Sequence, residues 1–227
     1  MTVRAGIELA RARLSGRGTW SAALLALLFE VGVALLERAH GRVGAADRAL
    51  MGGAFGLALP LFCYYLVARS CGGEGTNAAL HVLSRHGAER RALLLGLAAP
   101  NVALASVFAA LSALLVVATA RGFGDPWLVR DALVSAWIGL LAGAAYALAF
   151  LGASAFGRRG RGRSWLLLAD FVLGAGGSFL AFPWPKGHLR NLLGGMPVLE
   201  MSQLAALLSL LGTSFAFLWL GAVRTSR

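Results

Sequence analysis

Six apolar stretches, each near or above the roughly 20 residues that cross a ~30 Å hydrocarbon core, leave this chain few ways to fold. They run at about 20–36, 49–68, 92–120, 132–156, 165–182 and 204–223. Hydrocarbon offers no water to satisfy backbone N–H and C=O groups, so such segments must be helices or the strands of a closed barrel. Their length and lack of strict alternation exclude the barrel. The fold class expected is therefore an all-α integral membrane protein with six transmembrane helices, residues 1–227 forming a single transmembrane domain. Composition agrees: 58% of the residues are hydrophobic and 14% charged, where a soluble domain needs far more polar surface.

A net charge of +11 in a soluble protein would suggest nucleic acid as a partner, but here the placement of the charge matters more than its sum. If residue 1 starts on the cytoplasmic side, fourteen of the 21 Lys and Arg residues fall on the inner side and seven on the outer. The positive-inside rule then places both termini in the cytoplasm, and Glu37, Asp47, Asp125 and Asp131 in the outer loops weaken a nucleic-acid reading, so no nucleic-acid partner is expected. The run Arg158 to Arg163 reads as a stop-transfer anchor touching anionic lipid headgroups. A multi-pass protein of a bacterial inner membrane is the expected setting.

Two polar segments show helical periodicity. Residues 1–18 place Val3, Ile7 and Leu14 on one side and Arg4, Glu8 and Arg11 on the other, as an N-terminal interfacial helix would. A cleaved signal peptide is the competing reading; Glu30 in the apolar run and the lack of a small-x-small cleavage site argue against it. Residues 74–91, EGTNAALHVLSRHGAERR, repeat apolar Ala79, Leu80, Leu83 and Gly87 against His81, Arg85 and Arg90. This is the one long polar interruption between the second and third spans. Residues 183–200, bounded by Pro183, Pro185 and Pro197, are expected to form an outer interfacial segment anchored by Trp184.

Inside the spans, Glu30 and Asp170 are the unusual residues. A carboxyl in hydrocarbon costs about 2–4 kcal/mol by insertion scales, so each should face the bundle interior, either lining a transport path or holding helices together. Gly52 with Gly56, and Gly139 with Gly143, are G-x-x-x-G pairs of the kind that let helix backbones approach. Pro60 is expected to bend the second span, and Pro100 with Asn101 the third. Cys63 and Cys71 lack the spacing or histidine partners of a metal site.

The order of these parts resembles the permease subunits of ABC exporters of the ABC-2 type. The likeness rests on an amphipathic N-terminal helix, six spans, short outer helices before the last, and the local run Glu74, Gly75, Thr76, then Leu80, Leu83, Ser84, Arg85 and Arg90, similar to the family's E-x-G-T, leucines and S-R. It implies that residues 74–91 are a cytoplasmic coupling helix docking on a separate ATP-binding subunit, where ATP and magnesium would bind. It also implies a second permease chain, identical or not.

No G-x-x-x-x-G-K-[ST] phosphate loop occurs, so this chain carries no ATPase motif and, on this reading, no cofactor of its own. An intramembrane hydrolase is disfavoured: Gly152-Ala153-Ser154 is followed by Ala155, the zinc signature H-E-x-x-H is missing, and His40, His81, His86 and His188 lie outside the spans. No catalytic residue and no metal ligand is assigned. The sparse polar lining suits a lipid-like or amphipathic small molecule as cargo. The alternative is a proton-coupled secondary transporter using Glu30 and Asp170, although paired inverted repeats are not evident.

Overall fold

The computed structural model describes residues 2–41 and 44–226; Arg42 and Arg227, counted among the basic residues above, lie outside the described residues. Every regular element described is helical. Among the described residues, five helices are long and apolar enough to cross a membrane: α2 (Arg17–Ala39), a continuous helix over Ala45–Ser70, α6 (Arg90–Arg121), α7 (Leu128–Ala153) and α10 (Gln203–Ser226). The chain is thus a multi-pass membrane protein in its architecture.

The expected fifth span, about 165–182, has a different form. Its helix, α8, covers only Gly162–Leu173 and reaches about 18 Å at 1.5 Å per residue, short of the membrane core. The helix stops at Gly174, with Gly176 and Gly177 following, and a 3-10 turn at Phe179–Ala181 and Pro183 come before α9 (Pro185–Leu192). Glycine and proline together supply too little helix propensity to carry the segment through. The chain folds back instead, and α9 begins beside Asp170.

The second crossing starts as α3 (Ala45–Arg48), widens into a π-helical stretch over Ala49–Ala58 and returns to α-helix as α4 (Leu59–Ser70). The widening ends just before Pro60, which has no N–H to donate to the preceding turn. In a π-helix, residues four apart no longer stack. Gly52 accordingly faces open space, Gly56 lies closest to its own helix's Met51 carbonyl with the Lys186 side chain beyond, and Gly53 instead lets Val33 of α2 approach.

The centre of the bundle is the antiparallel pair α6 and α7. Gly139 would carry a Cβ only 2.6 Å from the Ala109 carbonyl oxygen, and Gly143 lies against Ala105 just as closely. Backbones at that distance allow Ser106 to donate to the Leu140 carbonyl at 2.9 Å. A second contact of this kind joins α7 to α10 through Gly152 and Gly221. Tyr146, Phe150, Phe55, Leu59 and Leu66 fill the interior beside these contacts.

Helix α1 (Thr2–Leu14) buries Gly6, Ala10 and Leu14, a stripe of four-residue spacing. Gly6 meets Gly96 of α6, where a Cβ on either residue would press into the other backbone. Of the apolar residues expected on one face, Val3 is 43% exposed and Ile7 half-buried, whereas Leu14 is buried with Gly6 and Ala10.

Candidate functional site

The short helix α5 (Thr76–Ser84) follows a turn containing Gly72 and Gly73 at positive φ, and it is where the sequence placed a coupling element. Its N-terminus has no side-chain cap of its own. The partners come from elsewhere in the chain. The Thr76 amide donates to the Ser154 carbonyl at 3.1 Å, its hydroxyl to the Leu151 carbonyl at 3.2 Å, and the Asn77 amide nitrogen to the Ala155 carbonyl at 3.5 Å. These carbonyls belong to the last turn of α7 and the residues after it. The positive end of α5 thus sits on the negative end of α7, each satisfying groups the other leaves open.

Gly75 makes this approach possible. A Cβ there would lie 2.9 Å from the Ser154 carbonyl oxygen and 3.0 Å from the Gly160 amide nitrogen. On the other side of the turn, Arg163 at the start of α8 donates to the Glu74 carbonyl at 2.9 Å and the Gly73 carbonyl at 3.2 Å, with its guanidinium 5.6 Å from the Tyr64 ring centroid. Cys71 lies beneath, its sulfur 3.9 Å from the Thr76 hydroxyl, and burial pushes that thiol above its ordinary range.

The far end of α5 is tied down as well. Arg90 reaches the Ser84 hydroxyl at 3.4 Å and donates to the Thr225 carbonyl of α10 at 3.0 Å. Arg13 donates to the Ser70 carbonyl at 2.8 Å and Arg69 to the Arg13 carbonyl at 2.9 Å, which join the α1–α2 elbow to the end of α4. Helix α5 is therefore fixed to α6, α7, α8 and α10 at one end of the bundle.

The coupling residues expected from sequence divide into two sets. Gly75, Thr76 and Leu80 are buried in the chain's own packing, so they hold α5 rather than face outward. Leu83, Ser84 and Arg90 are half-buried. Glu74 and Arg85 are exposed, and with Asn77, Ala78 and His81 they form the solvent face of α5. Arg163 was assigned above to a lipid-facing anchor; at 6% exposure it is an internal clamp instead. Its position within a helix, separated by Gly162 from the neighbouring arginines, was the available signal.

The two intramembrane acids share no hydrogen-bond partner. Asp170 accepts from the Tyr146 hydroxyl at 2.8 Å and from the Lys186 amide at 3.0 Å, capping α9 from a distance. This is a holding role. Glu30 of α2 is buried, with the Ser112 hydroxyl of α6 as the polar group that faces its carboxyl. No group of three His, Cys, Asp or Glu residues able to hold a metal occurs among the described residues. In comparisons with known proteins, no family model matches the chain and no curated protein matches it.

Proposed function

We propose that this chain is the membrane-spanning permease subunit of an ABC exporter of the ABC-2 type, working as a pair with a second permease chain and energised by a separate ATP-binding subunit. The observation that carries the reading is the mounting of α5: one face exposed, its first turn bonded to α7, the turn before it held by Arg163 of α8, and its last residue held by Arg90 of α6, which also bonds α10. A force on Asn77, His81 or Arg85 cannot be absorbed locally, because Thr76, Arg163 and Arg90 pass it to three helices at once. Such a mounting suits a helix that docks on a moving partner. ATP-dependent contacts that differ between two states of that partner would then shift the bundle between two arrangements.

In this reading the end of the bundle that carries α5 is cytoplasmic, and a lipid-like or amphipathic small molecule is the cargo. The test is a pull-down of the tagged chain from its native membrane in mild detergent, with mass spectrometry and an ATPase assay on the eluate. A stoichiometric nucleotide-binding subunit with vanadate-sensitive activity supports the proposal. A chain that elutes alone, stable and without ATPase, overturns it.

One observation favours a second reading, a proton-coupled carrier. Glu30 is a buried carboxyl inside a span, faced by the Ser112 hydroxyl and by no basic group in an ion pair among the described residues, as a proton-exchanging group would be. Asp170 does not add to it, since both of its oxygens already accept bonds that hold α7 and α9. Proton uptake by proteoliposomes holding the chain alone, lost in Glu30→Gln, would move the assignment to this reading.

A further inference from the structure

The end of the bundle opposite α5 opens into a cleft of about 380 Å³ walled by α3, α6, α7 and the residues after α9. Its charged lining is Asp47, Arg121, Arg130 and Asp131. Arg121 is committed: it pairs with Asp125 at 2.8 Å and with Asp131. Asp47 is drawn toward Arg121 at longer range but closes no ion pair among the described residues. Arg130 closes none either and rests with its guanidinium 5.9 Å from the Trp127 ring centroid. The cleft thus presents one uncommitted carboxylate, on α3, and one uncommitted guanidinium, on α7.

Beneath these charges the lining turns apolar, with Val117 and Ile138 buried and Leu192 and Leu193 half-buried. Ser135, only 8% exposed, lies in the same wall.

We propose that this cleft binds the head of a zwitterionic amphiphile, with its ammonium at Asp47, its anionic group at Arg130, and its first methylenes over Val117 and Ile138. A purely anionic head would answer Arg130 but bring its charge beside the uncommitted carboxylate of Asp47. A purely cationic head would leave Arg130 unanswered. Only a head carrying both charges answers both walls, and the apolar bed beneath them suits an attached chain. The site needs no ATP-binding subunit, so it stands or falls separately from the function proposed above.

The test is binding of dihexanoyl-phosphatidylethanolamine and of dihexanoyl-phosphatidylglycerol to the purified full chain in detergent, by native mass spectrometry and calorimetry. The zwitterionic probe should bind saturably and about tenfold more tightly than the anionic one. Arg130→Gln should weaken both probes about fivefold. Asp47→Asn should weaken only the zwitterionic probe and leave or improve the anionic one, abolishing the preference. Both positions are on the rim, and a melting curve equal to that of the parent chain shows that the variants fold. Equal affinity for the two probes in the parent chain, or an unchanged preference in Asp47→Asn, overturns the proposal.

Discussion

Arg163 donates to the Glu74 carbonyl oxygen at 2.9 Å across 89 residues of sequence, and a second bond from the same guanidinium reaches Gly73. One buried side chain therefore fixes the turn from which α5 starts. Arg163→Ala removes both charge-assisted donors and leaves two carbonyls without them, at an expected cost of about 2–4 kcal/mol. Arg163→Lys should recover part of this, because one ammonium cannot reproduce the planar fork. Thermal melting in detergent measures it, and a melt of Arg163→Ala equal to that of the parent chain would show that the clamp does not hold the turn.

The solvent face of α5 should behave oppositely. Glu74→Ala and Arg85→Ala alter exposed side chains, so stability should move by no more than about 0.5 kcal/mol. If α5 docks on an ATPase subunit, export should fall in both variants while the complex still assembles. Thr76→Val, which deletes the buried hydroxyl bonded to Leu151, should cost about 1 kcal/mol whatever the partner. Unchanged cargo-stimulated ATP hydrolysis and export in Glu74→Ala and Arg85→Ala would remove α5 from the coupling role.

The crossing of α1 over α6 predicts intolerance to small increases in volume. Gly96→Val forces side-chain atoms into the Val3 carbonyl and the Gly6 backbone, at about 1–3 kcal/mol for overpacking. Detached from α6, α1 should fray, so that trypsin cleaves its backbone after Arg4, Arg11 and Arg13, of which only Arg13 is half-buried in the parent chain. Faster cleavage there in Gly96→Val than in the parent chain is the expected result. Gly52→Ala, which meets nothing within 4 Å, is the control that should leave the digestion pattern unchanged.

Asp170 and Tyr146 should show coupled effects. Tyr146→Phe removes one hydrogen bond, about 1 kcal/mol, whereas Asp170→Ala removes that bond and uncaps α9, about 2–4 kcal/mol. Once Asp170 is gone, Tyr146→Phe should cost little more, since the bond has only one acceptor. Strictly additive losses in the double variant would show that the two residues do not act together.

His188 in α9 gives a pH dependence. Its ring is buried, the Nε2–H donates to the Phe182 carbonyl at 2.7 Å, and burial lowers its pKa from 6.5. The unfolded chain therefore takes up the proton first as pH falls. This contribution to stability is complete above pH ~6.5 and is lost as pH drops from there through the lower folded value. Melting temperature should fall between pH 8 and pH 5 in the parent chain and fall less in His188→Gln. Equal slopes would exclude the histidine as the cause.

The helical membrane class and the positions of most of the long helices are legible along the chain. Apolar runs of that length have no stable alternative to a helix in hydrocarbon, so the boundaries near Leu36, Ala120 and Val223 followed from transfer energetics alone. The Gly139 and Gly143 contact was legible for a similar reason, since spacing of four on an ordinary α-helix defines a face. Gly52 and Gly56 carry the same spacing, but the π-helical widening before Pro60 turns them off one face, and no pattern in the sequence announces it.

What the tertiary structure decided is where polar groups at helix ends find their partners. Thr76 with Leu151, Arg163 with Glu74 and Arg90 with Thr225 join segments 75, 89 and 135 residues apart. Local periodicity carries no information over such distances. The same holds for the fifth apolar run: its hydrophobicity allowed a span, yet the glycines after Leu173 and the pull of Asp170 on the start of α9 turn the chain back. Burial from water acts on each segment separately and can be read along the chain. Satisfaction of buried hydrogen-bonding groups depends on which segments meet, and only the folded arrangement settles that.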